Sequence, residues 1–216
     1  MTFLAENFPL LRDAFLTTLA LAVVSGLCAL VLGTVLAGMR VSPVRPLRGA
    51  ATFYVELFRN TPLTVVFFFL VFGIVEIDLQ FPSRFIASVA ALSLYTAAFV
   101  CEAVRSGINA VPAGQAEAAR AIGLDFGQIL RTIVLPQAFR TVVPPLGNVW
   151  IALAKNTSIA AGFAVTELTA SLLRLSNVAS DQLPLVFGAI VAAYLLITLP
   201  SAWVIRLIEK RVAIVR

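Results

Sequence analysis

Residues Ala14–Met39 read AFLTTLALAVVSGLCALVLGTVLAGM, without a single Asp, Glu, Lys or Arg. About 20 helical residues cross the hydrocarbon layer of a bilayer, so this stretch spans it with tilt to spare. It is too long for a signal-peptide core and no basic region precedes it, which makes it a retained helix. Lipid is therefore the solvent for this part of the chain.

Four further stretches can span. Asn60–Val75 is uncharged but short, so the helix before it, around Gly49–Phe58, must supply part of the crossing. Phe85–Cys101 is a third span, extending towards Val104, and Thr141–Thr166 is a fourth, interrupted by Lys155. Gln182–Ile205 is a fifth, and its Pro200 kinks a membrane helix more readily than it ends one. The expectation is an all-α transmembrane fold, one domain over residues 1–216 with five membrane-spanning helices. No internal repeat is visible, and five spans cannot be halved into the inverted repeats of the usual secondary transporters.

Composition agrees. Of 216 residues, 60% are hydrophobic and 12% charged, where soluble domains are about half apolar and a quarter charged. The mean hydropathy of +0.98 points the same way. A soluble enzyme, a secreted disulfide scaffold and a disordered tail are excluded. There is no histidine, which removes the commonest general base and metal ligand. Cys28 and Cys101 sit far apart in apolar stretches, as small buried hydrophobes would.

Basic residues set the orientation. Arg40, Arg45 and Arg48 fall between spans one and two, Arg105, Arg120, Arg131 and Arg140 between three and four, and Arg206, Lys210, Arg211 and Arg216 after span five. Those eleven share one side, against Arg12, Arg84 and Arg174 on the other. Cytoplasmic loops carry the excess, so the N-terminus is expected outside and the C-terminus in the cytoplasm. The same bias accounts for the net charge of +5 without nucleic acid.

The loop of residues 105–140 is the longest between spans. Its first half, around Gln115–Ile122, is an alanine-rich helix that Gly123 would stop in a left-handed conformation. Its second half starts at Asp125, a good N-cap, puts Phe126, Ile129, Leu130 and Ile133 on one face, and is closed by Pro136. Two short helices joined at a bend can simply lie in the headgroup boundary, or they can be presented to a partner.

The order of residues favours the partner. Glu117-Ala118-Ala119, three residues, Gly123, nine residues, then Ile133-x-Leu135-Pro136 resembles the signature loop of the integral-membrane subunits of ABC importers, without departure. The resemblance implies that the first helix is a coupling helix. It docks in a cleft on a cytosolic ATPase, with Glu117 as polar contact, Ala118 and Ala119 allowing close approach and Gly123 making the bend. No Gly-Lys dipeptide is present, hence no P-loop, so ATP and magnesium belong to the partner.

Polar residues within the spans point to a pathway. Thr61 can cap a helix whose N1 is Pro62, giving a helix N-terminus suited to an anion, or simply an ordinary helix boundary. With span four regular after Pro144-Pro145, ten residues at about 1.5 Å each put Lys155 roughly 15 Å in. Lys155 could snorkel, pair with Glu102, or serve the pathway; Asn156, Thr157 and Ser158 follow it with neutral donors and acceptors. Together with Tyr95, Glu102, Ser106-Gly107-Ile108 and Lys155-Asn156-Thr157-Ser158, the run Arg59-Asn60-Thr61-Pro62 is similar to the polar amino-acid permease branch, most of all its actinobacterial glutamate-type members.

Many members of that branch carry Asp where this chain has Asn156. Losing that negative charge favours an acidic substrate over a cationic one by Coulomb sign. The resemblance implies a glutamate importer subunit without covalent chemistry of its own. Its partners would be an ATPase dimer, a second permease, identical or homologous, and an extracytoplasmic substrate-binding protein. The same family importing glutamine, aspartate or a basic amino acid is the alternative; a stand-alone carrier or a membrane enzyme is a more distant one.

Overall fold

The computed structural model describes residues 2–212; Arg216 and the side chain of Phe126, both used above, lie outside the described part. Every regular element in the described residues is helical. A short α1 (Thr2–Glu6) leads into α2 (Phe8–Val41), which at about 1.5 Å per residue is longer than the roughly 30 Å hydrocarbon layer. Then come α3 (Arg45–Asn60), α4 (Leu63–Val71), α5 (Arg84–Asn109), α6 (Ala113–Ala121), α7 (Phe126–Ile129), α8 (Leu135–Asn156), α9 (Leu168–Val178) and α10 (Leu183–Val212). Three of these pieces are long and apolar enough to cross a membrane by themselves: α2, α5 and the stretch Ser180–Arg211. Two further pairs are bent. Arg45–Asn60 meets Leu63–Ile77 at 103°, and Gly127–Phe163 meets Leu168–Val178 at 50°. The molecule is an all-α, multi-pass membrane bundle.

The spine of the bundle is α2 against α5. The buried face of α2 is mostly small, with Ala14, Thr18, Ala22, Ser25, Ala29, Gly33 and Ala37, and α5 answers with Ala87, Ala91, Ala97 and Ala98. Water does not drive helices together inside lipid, so close backbone approach must supply the attraction through dispersion contacts. Gly33 marks the tightest approach of this kind. A Cβ there would sit 2.5 Å from Val100 Cβ and 2.7 Å from the Ala97 carbonyl oxygen. Around the spine, Phe67, Leu92 and Phe163 form one core, while Ala22, Leu168, Val186 and Ile190 form another between α2, α9 and α10.

Several expectations are corrected. Pro136 does not close a helix. Residues Leu130–Val134 form a π-helical turn in which Leu135 N–H reaches the Leu130 carbonyl, and α8 continues through Pro136, Pro144 and Pro145. The π turn widens the backbone where the Pro136 ring would otherwise meet the preceding turn. The helix before the short second span, α3, is long and apolar enough to cross only together with the Leu63–Ile77 stretch, and the two meet at a 103° bend. Cys28 is exposed and only Cys101 is buried, because Cys28 lies off the small-residue face of α2.

Candidate functional site

The hairpin after α5 is built by local chemistry. Gly123, at φ +88°, ends α6 in a left-handed turn, with Gly123 N–H bonding the Arg120 carbonyl at 2.9 Å and Leu124 N–H the Ala119 carbonyl at 3.1 Å. The next arm opens on a reciprocal box. Gln128 N–H donates to Asp125 Oδ1 at 2.9 Å, and Asp125 N–H to Gln128 Oε1 at 2.9 Å. Glu117 and Ala118 are exposed on α6, Ala119 is buried, and Ile122 beside the turn is 80% exposed. The Gln137 side-chain amide donates to Gln115 Oε1 at 2.5 Å, tying α6 to the start of α8.

A charged cluster forms where α2, α3 and α5 converge. Glu102 on α5 takes a bidentate contact from Arg105, Nη2 to Oε2 at 2.9 Å and Nε to Oε1 at 3.4 Å. Arg40, from the end of α2, donates to Oε1. Arg59, in the last turn of α3, lies 3.5 Å from Oε2. Three guanidinium groups thus share one carboxylate.

Beside it, α5 and α8 line a half-open cavity of about 300 Å³. Tyr95, Thr96 and Phe99 line it from α5, and Asn148, Ala152 and Asn156 from α8. The spacing explains both sets. Tyr95, Phe99 and Glu102 lie on one face of α5, and Asn148, Ala152 and Asn156 recur every four residues along α8. The Tyr95 and Phe99 rings are 5.0 Å apart, and the Arg59 guanidinium lies 5.8 Å above the Phe99 ring. The cavity therefore runs from two asparagine amides, past two aromatic rings, towards an arginine.

Of the residues marked in the sequence, the fold brings Arg59, Glu102 and Asn156 to this region. Thr61 is not an N-cap: α4 is capped by the backbone of Pro62, and Thr61 instead lines an apolar cavity of about 400 Å³ with Leu57, Val65 and Phe69. Asn60 spends its amide on the Glu56 carbonyl at 2.8 Å. Lys155 is exposed, and the acid it could have paired with, Glu102, is held by the three arginines. Thr157 is buried with its hydroxyl donating to the Ala154 carbonyl at 2.8 Å, and Ser158 is half-buried. Arg40 and Arg105 entered the sequence analysis only as loop charge. The Glu102–Arg105 spacing of three was a readable signal, whereas Arg40 is 62 positions away from Glu102.

Glu167 stands at the break before α9. It is fully buried and caps α9, Oε1 accepting from Ala170 N–H at 2.8 Å and Oε2 from the Tyr194 hydroxyl at 2.9 Å. Thr18 Oγ1 accepts from the Leu168 N–H at 3.1 Å, so α2, α9 and α10 meet at this break. Among the described residues, no three His, Cys, Asp or Glu side chains gather where they could hold a metal.

Known proteins place this geometry in context. The pattern of the family described as binding-protein-dependent transport system inner membrane component matches residues 29–214. The glutamate transport system permease protein GluC of Corynebacterium efficiens is 42% identical, over 99% of this chain and 98% of its own. The glutamate/aspartate import permease protein GltJ of Escherichia coli is 35% identical, over 93% of this chain and 86% of its own. A crystal structure of an amino acid ABC transporter with histidines superposes with a TM-score of 0.90 at 30% identity, covering 97% of each chain.

Proposed function

The chain belongs to the family of binding-protein-dependent transport system inner membrane components, and from that premise we propose that it carries an acidic amino acid, glutamate first, across a bacterial inner membrane. It is a multi-pass permease subunit of an ABC importer, in a family that uses separate ATPase subunits. Five crossings are the reading that three long helices and two bent pairs support. The eleven-to-three split of basic residues supports an outer N-terminus and a cytoplasmic C-terminus.

The observation that carries the mechanism is α6, a short helix between α5 and α8 with Glu117 exposed and Gly123 turning the chain at its end. Two copies of α6, one from each permease, would dock on an ATPase dimer that holds ATP and magnesium. Closure of the dimer draws the copies together. Movement then passes along the Gln115–Gln137 contact into α8 and on to the cavity wall. An external binding protein delivers substrate to the opened outer side. Glu117, Ala118, Ala119 and Gly123 form the coupling element, although burial of Ala119 directs it towards the hairpin itself. Arg59, Asn60, Thr61, Glu102, Lys155, Asn156, Thr157 and Ser158 mark the pathway, with Arg59, Glu102 and Asn156 at its centre.

The neutral amides of Asn148 and Asn156 suit glutamine as a second substrate reading. Uptake of radiolabelled glutamate, glutamine, aspartate and arginine should be measured in cells with the gene, without it, and with Glu117→Lys. Loss of glutamate uptake in both altered strains supports the reading. Uptake that survives Glu117→Lys but not deletion replaces coupling with a stand-alone carrier.

A further inference from the structure

We propose that Arg59 is a carboxylate receptor that Glu102 occupies until an amino acid displaces it. The inference rests on the reading above and deepens it by naming the group that recognises the substrate's anionic end.

The cluster holds three positive charges and one negative, a surplus of two in a partly buried place. The arginines are not equivalent. Arg105 and Arg40 donate hydrogen bonds to Glu102 and between them engage both of its oxygens. Arg59 stands at 3.5 Å as an ion pair, and its side chain makes no hydrogen bond to another described residue. It is also the most open of the three, its side chain 46% exposed against 16% for Arg40. Five N–H donors in a planar fork are therefore available to an incoming carboxylate, the geometry for which a guanidinium is best suited.

Position agrees with chemistry. Arg59 lies over the ring of Phe99, which is itself part of the cavity wall opposite Asn156. Arg59, stacked over a ring of the cavity wall and the most open of the three, is the arginine placed to receive a carboxylate from the cavity. When the carboxylate takes Arg59, Glu102 keeps its two remaining arginines, so no buried charge is left alone. The exchange costs one weak, part-exposed ion pair and gains a charge-assisted hydrogen bond. It also removes one ionic tie between α3 and α5, while the Tyr54 hydroxyl keeps its 2.8 Å bond to the Leu94 carbonyl and Val55 stays packed in the core with Ala97 and Ala98.

The carboxylate can be the one on the α-carbon or the one on the side chain, and binding separates them. The assembled permease–ATPase complex, in lipid nanodiscs without binding protein, is titrated with radiolabelled glutamate and competed with glutamine and with isoglutamine, which lack the side-chain and the α-carboxylate respectively. Arg59→Gln should weaken glutamate by about tenfold or more and leave unchanged the amide that lacks the recognised carboxylate. Arg59→Lys should restore part of the loss. Glu102→Gln should tighten glutamate by up to about fivefold, the ceiling for a part-exposed ion pair. Should Glu102→Gln fail to assemble, the Arg59 variants decide alone. Equal weakening of all three ligands by Arg59→Gln, or no weakening, overturns the receptor role while leaving the importer in place. A wild-type complex that binds none of them overturns both.

Discussion

The Tyr194 hydroxyl donates to Glu167 Oε2 at 2.9 Å, joining the middle of α10 to the N-cap of α9. With that proton committed, Thr169 Oγ1 donates to the Tyr194 oxygen at 3.0 Å. The contact sits at the 50° break between the Gly127–Phe163 stretch and α9, just after Ala164, which holds a left-handed φ of +61° without being glycine. Such a backbone is costly by roughly 1 kcal/mol, and the buried bonds on its far side keep the chain in that path.

Glu167→Ala should destabilise the solubilised complex by about 1–3 kcal/mol, because Ala170 N–H and the Tyr194 hydroxyl both lose their buried acceptor. Glu167→Gln keeps one carbonyl oxygen and should lose less. Thermal unfolding of the two variants tests the order; equal losses would mean that charge, and not the acceptor, holds the break.

Gly123→Ala should act through backbone conformation alone, since nothing lies within 4 Å of where its Cβ would go. At φ +88° an L side chain costs about 1 kcal/mol, enough to loosen the turn that aims α6. Substrate-stimulated ATP hydrolysis should fall several-fold, with Gly123→Asn milder than Gly123→Ala because Asn tolerates the left-handed region. Unchanged stimulation would remove the bend from the coupling path.

What the sequence made legible was mostly local. The turn at Gly123 and the N-cap at Asp125 are settled within five residues, so their bonds follow from residue order. Pro136 misled because its effect depends on a π turn that no local rule announces. Glu167 was not legible as a buried cap, because its partner Tyr194 lies 27 positions away in the chain. The cluster at Glu102 was half legible. Arg105 is one turn away, but Arg40 and Arg59 arrive only when α2 and α3 pack on α5.

Gly33→Ala should weaken the α2–α5 spine, and Val100→Ala should not rescue it. The added Cβ would meet Val100 Cβ, which alanine retains, and the Ala97 carbonyl oxygen, which no side-chain change moves. Helix separation is then forced. The cost should be about 1–3 kcal/mol in thermal unfolding of the complex. Full rescue by Val100→Ala would show that the helices can slide and that the close approach is incidental.

Asn156→Asp places a negative charge on the wall of the cavity shared by Tyr95, Thr96 and Phe99. A like charge a few ångströms from a bound carboxylate is repulsive, and against a protein wall the effect is stronger than in bulk water. Glutamate uptake should fall by about tenfold while glutamine, neutral at the same position, falls much less. Arginine uptake, if present at all, should rise. Lys155→Gln is compared beside it, a charge change at the neighbouring pathway residue whose side chain is exposed and does not line the cavity. If Lys155→Gln shifted selectivity and Asn156→Asp did not, the path would run along the outer face of α8 and not through the cavity.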